Sequence, residues 1–289
     1  MKPAPFDYVA PASIAEVCAL LAEAGGGAIV LAGGQTLMPL LNLRMSQPFM
    51  VVDITRVPGL AGIELTADCI RIGPTTRQCD ALASALLARE LPVVVTALGH
   101  VGHQQTRNRG TFGGSVALGE PAAELPATAV ALCATIELQS VRGIRRVPAR
   151  EFYLGPYLTV LEPDELVIAI DFPLWPTDHV ALFAEVAQRP GDFALTGLVG
   201  ALALAEGKIV RAGVAWLGMG PTPIAAAALE EALVGQDAAK LDPVALAELA
   251  LAECAPFDDH HASAEYRLTV GKRLFERTLR AALNIREAA

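Results

Sequence analysis

Two pairs of adjacent glycines constrain the fold of this chain more than any other sequence feature. The first pair, Gly33–Gly34, directly follows the apolar segment 28–32, which is typical of a short buried strand. The second pair, Gly113–Gly114, is flanked by the hydroxyl residues Thr111 and Ser115. Adjacent glycines let the backbone adopt positive φ and approach a ligand closely, and successive N–H groups in such a turn bind anions. Two such turns in one chain predict that a dinucleotide lies between them.

The surrounding motifs exclude two common classes of nucleotide-binding protein. Neither glycine pair fits the G-x-G-x-x-G fingerprint of Rossmann dehydrogenases or the Walker A pattern of P-loop ATPases. A glycine pair after a strand is more often an ordinary turn, so each pair alone is weak evidence. The prediction therefore depends on finding both pairs at one cleft.

The residues around the first pair predict a small βαβ-like lobe over residues 1–55. Ser13 stands three residues before Glu16, which is the capping-box pattern that begins a helix, and apolar residues then recur at helical spacing. The expected elements are a helix over 13–24 and strands over 28–32 and 50–54.

Two further lobes are expected, over residues 56–175 and 176–289, with the turn-rich segment 173–178 between them. The pattern predicts an α+β fold in both. In the second lobe we expect strands at 69–73, 135–138 and 166–170, a helical segment over 76–105 interrupted near Pro92, and a helix over 124–132. In the third we expect strands at 181–188 and 209–217 with a glycine-punctuated apolar run between them, then helices over 222–234, 243–254 and 263–284.

Charge and hydropathy argue against nucleic-acid and membrane partners. The net charge of −9 disfavours a nucleic-acid or anionic-membrane surface, and the short basic stretch 142–150 is typical of a solvated strand edge. No uninterrupted apolar stretch reaches the roughly 18 to 20 residues that span a bilayer. The first eight residues lack the pattern of a secretory signal, so we expect a cytoplasmic protein.

The cysteines and histidines predict no metal site in this chain. The five cysteines, at 18, 69, 79, 133 and 254, are too far apart in sequence for a C-x2-C or C-x4-C motif, and the five histidines form no His-x3-His pair. We expect the cysteines to act as small apolar filler. If the chain transfers electrons, an organic cofactor must carry them.

Longer segments around the two glycine pairs resemble a known family. AGGQTLMPLLNLRMSQP is similar to the first FAD loop of the flavin-carrying medium subunits of molybdenum hydroxylases, the xanthine dehydrogenase and carbon monoxide dehydrogenase family. TRNRGTFGGSVALGEPAAELPA is similar to their second loop, and YLGPYLTVLEPDELVIAIDFP and RPGDFALTGLVGALAL follow in the expected order. The resemblance implies a two-lobed FAD-binding fold of the PCMH and vanillyl-alcohol-oxidase type. It adds a C-terminal α+β lobe with an antiparallel sheet and helices.

The resemblance also implies which residues bind the cofactor. Glu124 matches an acidic residue near the ribose and adenine, where a carboxylate accepts hydrogen bonds from hydroxyls. Arg107 and Arg109 either neutralise phosphate charge or brace the loop through carbonyls. The residues implied around the pyrophosphate are Ala32, Gly33, Gly34, Gln35, Thr36 and Leu37 from the first loop, and Thr111, Gly113, Gly114 and Ser115 from the second.

A third matched segment corresponds to the family's approach to the flavin ring. It contributes Arg189, Asp192 and Phe193, and the resemblance adds Ile168 to the binding residues. An Arg at the ring edge would favour the reduced flavin. Two departures affect the expected chemistry. Some members carry a Lys shortly before this Arg, whereas residues 184–188 here read AEVAQ, which leaves open whether Arg189 replaces it. Animal xanthine dehydrogenases carry two acidic residues in place of Gly191-Asp192, which weakens the case for NAD as acceptor.

The implied function is electron transfer within a larger complex. Substrate would be hydroxylated at a molybdopterin cofactor in a large subunit, and electrons would cross [2Fe–2S] clusters in a small subunit to FAD in this chain. The expected assembly is a dimer of heterotrimers, with no general acid or base in this chain. Two alternatives stay open, a self-contained flavin oxidoreductase of the same fold and a non-catalytic assembly subunit without FAD. The substrate class and the final acceptor are not determined by these residues.

Overall fold

The N-terminal part of the chain is a small parallel sheet with a helix packed against it. The computed structural model describes residues 2–285. The elements here are β1 (Asp7–Val9), α1 (Ile14–Ala24), β2 (Ala28–Leu31), α2 (Leu37–Asn42) and β3 (Met50–Asp53), and the strand order is β1-β3-β2. The predicted helix and both strands are confirmed within one residue at each end. The three-residue strand β1 is additional, because it is too short to show a period.

Helix α1 begins and ends where the sequence signals stand. The Ser13 hydroxyl accepts a hydrogen bond from the Glu16 amide at 3.2 Å, and the Glu16 carboxylate accepts one from the Ala12 amide at 2.7 Å. Gly25 ends the helix in the left-handed region, with φ of 55°. These contacts satisfy free backbone groups at both ends, so the direction of the chain into β2 is well defined.

The second part is a five-stranded antiparallel sheet with helices on one face. The strands of this sheet are β4 (Ile63–Leu65), β5 (Cys69–Ile72), β6 (Thr135–Ser140), β7 (Gly143–Pro148) and β10 (Leu166–Pro173), and a separate small hairpin is formed by β8 (Tyr153–Gly155) and β9 (Leu158–Thr159). The sheet order is β4-β5-β10-β6-β7. The basic stretch 142–150 includes the edge strand β7, as expected, and Arg145 and Arg146 there pair with Glu165 and Glu137.

The helical segment predicted over 76–105, with an interruption near Pro92, is helical but is divided at more places than predicted. The chain instead forms α3 (Gln78–Leu82), α4 (Ala85–Glu90), α5 (Pro92–His100) and α6 (Gln104–Arg109), followed by α7 (Phe112–Leu118), α8 (Glu124–Ala131) and α9 (Ala149–Phe152). Ser84 caps α4 by accepting from the Leu87 amide, and Pro92 occupies the first turn of α5. Ser84 and Pro92 each start a new helix, although the apolar spacing continues.

The third part is a four-stranded antiparallel sheet covered by helices on one face. Its elements are β11 (His179–Ala187), β12 (Ala194–Ala205), β13 (Lys208–Leu217), β14 (Ile224–Ala225), α10 (Ala227–Leu233), a 3₁₀ turn (Ala238–Lys240), α11 (Pro243–Ala250) and α12 (Ala264–Leu283). The glycine-punctuated run is the strand β12, paired on both sides. The helix predicted over 222–234 starts late, because residues 224–225 pair with β13. Helix α12 matches its prediction, with Ser263 and Asn284 as caps.

Helix α8 joins the second and third parts of the molecule. All eight of its residues are buried, and it packs against α5 and α7 on one side and β12 and β13 on the other. The apolar core around α8 includes side chains from both sheets, such as Ile136 and Val199. The Arg150 guanidinium pairs with both oxygens of Glu230 at 2.6 and 2.8 Å, which links α9 to α10. The two parts therefore share one core.

Two whole-chain expectations concern membranes and cysteines. Within residues 2–285, no helix is long and apolar enough to cross a membrane. Cys18 is buried, as expected of filler, but Cys133 is exposed in the left-handed turn after α8, so that expectation was wrong for Cys133.

The Arg150–Glu230 pair yields a stability prediction. Changing Glu230→Gln leaves the Arg150 charge without its partner in a half-buried position, and we expect a loss of about 2 kcal/mol, or a fall of about 4 °C in Tm. Differential scanning calorimetry of the purified protein measures the change in Tm. Glu248→Gln, which removes the exposed partner of Lys272, is the matched control and should cost less than about 1 kcal/mol. Equal shifts for the two variants would contradict the prediction.

Candidate functional site

The first glycine pair connects β2 to α2 and presents free amides. Gly34 has φ of 70°, so the predicted positive-φ turn is confirmed here. The Gln35 side chain donates to the Gly33 carbonyl at 3.1 Å and holds the turn closed. Among the hydrogen bonds found within residues 2–285, none has a backbone amide of residues 33–37 as its donor. These amides can therefore bind an anion.

The second glycine pair is not a turn, which corrects the prediction. Gly113 and Gly114 lie in the first turn of α7, whose N-cap is Thr111. The Gly113 amide donates to the Pro74 carbonyl at 2.9 Å, and the Gly114 amide donates to the Thr111 hydroxyl at 3.1 Å. Gly113 is required for packing, because a Cβ there would lie 2.3 Å from Pro74 Cβ. This segment thus uses its own amides internally and offers a ligand its surface, where Gly114 is exposed and Ser115 is half-buried.

The two glycine segments touch, as the sequence predicts. A Cβ at Gly33 would lie 2.6 Å from the Arg109 carbonyl oxygen and 3.0 Å from the Thr111 amide nitrogen. A Cβ at Gly114 would lie 4.0 Å from Ala32 Cβ. Only a residue without a side chain permits the first approach. The free amides of the first segment consequently lie beside the start of α7.

The two arginines of the second segment have different surroundings. The Arg107 guanidinium donates to the carbonyls of Val101 and Gly102 at 2.9 and 3.0 Å, so it braces the loop before α6. The Arg109 side chain is exposed, and its carbonyl accepts from the Arg77 guanidinium. Of the two roles left open by the sequence, the structure shows bracing for Arg107.

Glu124 is a buried carboxyl at the N-terminus of α8. Its exposed fraction is 4%, and burial raises its pKa to about 8. The nearby carboxylates Glu185 and Glu120 raise the pKa further, whereas its own amide and the Arg107 guanidinium lower it. Near neutral pH the carboxyl is mostly protonated in the unliganded chain. It changes charge readily when a hydrogen-bond donor approaches.

The segment between β11 and β12 forms an exposed hairpin over residues 188–193. Arg189, Asp192 and Phe193 are all exposed, and the Asp192 amide donates to the Arg189 carbonyl at 3.1 Å. Gly191 packs on the loop between α5 and α6, where a Cβ would lie 2.7 Å from the His103 ring. The hairpin therefore packs against the loop whose carbonyls accept hydrogen bonds from the Arg107 guanidinium.

Two further polar residues belong to this region, and the sequence reasoning did not identify them. His100 Nδ1 lies 2.9 Å from Glu185 Oε1, and the His100 ring stacks on Phe183 with 4.6 Å between centroids. A lone His and a lone Glu, 85 positions apart, carry no sequence signal. Ile168 lies elsewhere, at a bulge in β10 with its side chain in the apolar core beside α1, so its role toward the cofactor stays a prediction.

Comparisons with known proteins agree with this geometry. Residues 4–175 match the FAD binding domain in molybdopterin dehydrogenase, and residues 181–282 match the CO dehydrogenase flavoprotein C-terminal domain. The chain is 40% identical over 285 residues to the 6-hydroxypseudooxynicotine dehydrogenase complex subunit alpha of Paenarthrobacter nicotinovorans, covering 98% of this chain and 96% of that protein.

Carbon monoxide dehydrogenase is similar in sequence and in structure. The chain is 33% identical over 282 residues to the medium chain of this enzyme from Hydrogenophaga pseudoflava, with 98% of each chain covered. A solved structure of the same enzyme superposes with a TM-score of 0.94 at 34% identity, covering 98% of this chain and 99% of that chain. These matches extend over nearly the whole sequence rather than one motif.

The fold and the site thus define a dinucleotide-binding flavoprotein. The chain belongs to the family of FAD-binding medium subunits of molybdenum hydroxylase complexes, the carbon monoxide and xanthine dehydrogenase type. The predicted family, fold class, FAD cofactor and oxidoreductase function are confirmed. In complexes of this type the molybdopterin and the iron–sulfur clusters are carried by partner subunits. Among the described residues, no group of His, Cys, Asp and Glu could hold a metal ion.

The residues present fit the FAD diphosphate. Amides of residues 33–37 face no protein acceptor, and the neighbouring start of α7 has an exposed Gly114 with no side chain in the way. Backbone amides and a helix N-terminus are the usual binding groups for a pyrophosphate. The buried carboxyl of Glu124 suits hydroxyl donors of a ribose.

The contact at Gly33 yields a prediction about cofactor retention. Changing Gly33→Ala places a Cβ 2.6 Å from the Arg109 carbonyl oxygen, which pushes the two segments apart. We expect FAD affinity to fall at least tenfold, or about 1.4 kcal/mol. The ratio of flavin to protein absorbance in the purified protein measures the loss. Gly99→Ala in α5, where a Cβ would meet nothing within 4 Å, is the control. Equal ratios for both variants would remove this contact from the binding site.

Proposed function

We propose that the FAD pyrophosphate binds between the loop after β2 and the start of α7. Residues 33–37 would donate their amides from one side, with Ala32 as the floor of the loop. Thr111, Gly113, Gly114 and Ser115 would form the other side through the surface and hydroxyls of α7. The observation that carries this proposal is the contact of Gly33 with the backbone of residues 109–111, which brings the free amides to the helix start. We also propose that the chain is divided into three lobes, over residues 1–55, 56–175 and 176–289.

The same arrangement suggests where the rest of the cofactor lies. Glu124 would accept hydrogen bonds from the ribose, because its carboxyl is close to the Arg107-braced loop and is otherwise surrounded by protein. The hairpin 188–193 would border the flavin ring through Arg189, Asp192 and Phe193, whose side chains are exposed. Ile168 would contribute only by packing under the site.

The chain's own residues bind, orient and shield the cofactor. Bound FAD supplies the ability to accept electrons singly and release them in pairs. The amides of residues 33–37 would neutralise diphosphate charge, and the exposed Arg189 would lie where negative charge develops on reduction. No proton transfer by a side chain is needed to receive electrons from a neighbouring iron–sulfur subunit.

The complex would contain a small [2Fe–2S] subunit and a large molybdopterin subunit, arranged as a dimer of heterotrimers in the cytoplasm. The relatives support multi-subunit assembly, since they are named as complex subunits or medium chains. We expect co-purification to recover both partner chains, and native mass spectrometry measures their stoichiometry. A stable and fully active preparation of this chain alone would contradict the proposed subunit composition.

Glu124 yields a prediction of pH dependence. A ribose that donates to the carboxylate favours the charged form, so binding must displace a proton from a group whose pKa is about 8. We expect the affinity of the deflavinated complex for FAD to rise from about pH 6 to about pH 8, by up to tenfold per pH unit, and then to level off. Isothermal titration across this range measures it.

The Glu124→Gln variant should lose this pH dependence, because an amide oxygen accepts the same hydrogen bond without titrating. Glu64→Gln, an exposed change on β4, should behave like the unmodified chain. Affinity that is independent of pH in the unmodified complex would show that Glu124 does not receive the ribose.

A further inference from the structure

A buried carboxyl on β11 has no role in the binding proposed above. The side chain of Glu185 is 7% exposed, and its Oε1 pairs with His100 Nδ1 at 2.9 Å. Its other oxygen, Oε2, is buried without a hydrogen-bond partner among the described residues. A buried carboxylate oxygen without a partner is costly, so either a proton or a ligand group must satisfy it.

The direction of the Glu185 side chain follows from strand alternation and from its contacts. Successive residues of a strand point to opposite faces. Leu182 packs in the core formed with α10, α11 and α12, whereas Phe183 packs against the core that surrounds α8. Glu185 shares the face of Phe183, and both contact His100 at the end of α5. The carboxyl therefore points between the third sheet and the second part of the molecule, away from α12.

Charged groups from several elements act on Glu185 or on the neighbouring Glu124. His100 at the end of α5 lowers its pKa, but burial raises the pKa more strongly. Glu124 of α8 is close enough for the Glu185 charge to raise the Glu124 pKa, and Glu120 adds in the same direction. Arg107 of α6 is the permanent cation of this group, and it is already bonded to two carbonyls. The burial of Glu185 and its interaction with the buried carboxyl of Glu124 favour uptake of a proton.

The Glu185–His100 pair and the hairpin 188–193 both contact the end of α5 and the loop that follows it. Strand β11 ends at Ala187 and leads directly into residues 188–193. The hairpin packs at Gly191 on Gly102 and His103, which closely follow His100 in the chain. If the hairpin borders the flavin ring, the Glu185–His100 pair lies on the same side of the molecule. His100 is 45% exposed and connects the buried carboxyl to water.

We infer that Glu185 and His100 form a proton-binding pair that takes up one proton from solvent when two electrons reach the neighbouring FAD. Electrons arriving from the partner's clusters add negative charge in a region that water screens poorly, and protonation of the pair offsets that charge. An O–H bond forms on the Glu185 carboxylate, an O–H bond of a hydronium ion in solvent breaks and releases water, and the exposed His100 ring is the side of the pair that solvent reaches. The inference rests on the proposed function, because it requires the flavin to lie beside the hairpin.

The test is the pH dependence of the reduction potential of FAD in the purified complex, followed by spectroelectrochemistry. The slope of potential against pH reports the protons bound per two electrons. At pH values above the ordinary pKa range of glutamate, two-electron reduction should be accompanied by proton uptake. We expect the unmodified complex to take up about one more proton in this step than the Glu185→Gln variant. His100→Gln should move this step to higher pH, since it removes the group that lowers the Glu185 pKa. Glu64→Gln is the control and should leave the slope unchanged.

Identical slopes in the unmodified complex and Glu185→Gln would overturn the inference. A reduced-minus-oxidised infrared spectrum of the unmodified complex gives a second measurement that needs no variant. It should show a change in the protonated-carboxyl C=O band that shifts in D₂O, and its absence would also overturn the inference, even if Glu185→Gln does not fold. A complex purified without any FAD would instead contradict the proposed function.

Discussion

The close approach of Gly33 to the backbone of residues 109–111 is the contact on which the site depends. It joins the parallel N-terminal sheet to the helices of the second part at a distance that any side chain would prevent. The turn after β2 is held by this contact and by Gln35, and its backbone amides donate none of the hydrogen bonds found among residues 2–285. The start of α7 at Thr111 lies beside this turn and presents the exposed Gly114. The two segments contribute differently, one through free amides and the other through an unobstructed surface.

Helix α8 determines the electrostatics around that site. It is buried along its whole length because it lies between two sheets, and the burial places the carboxyl of Glu124 in a region of low polarity. Glu185 approaches from the opposite sheet and Arg107 from the braced loop. The surroundings of these titratable groups are thus a consequence of how the second and third parts pack. The Arg150–Glu230 pair adds to the same packing near the end of α8, where the Arg150 Nε also donates to the Val130 carbonyl.

Local signals were sufficient where one short segment decides its own conformation. The N-cap of α1 and the positive φ within the first glycine pair need only neighbouring residues, and both were predicted at their positions. The errors fall where tertiary contacts compete. Residues 76–105 keep helical spacing but break into four helices, and Gly113 serves packing against Pro74 instead of a turn. The run 194–205 looks irregular because its glycines interrupt the apolar pattern, yet both neighbouring strands pair with it.

By itself the sequence determined the family, the cofactor and the two segments that approach each other, because these depend on residue types at fixed local spacing. Only the tertiary structure decided which amides remain free, that Arg107 braces a loop, and that Glu185 and His100 form a pair across 85 positions. The physical reason is that hydrogen-bond satisfaction and burial are properties of the packed chain. A lone carboxyl has no distinguishing pattern until neighbouring elements exclude water from it.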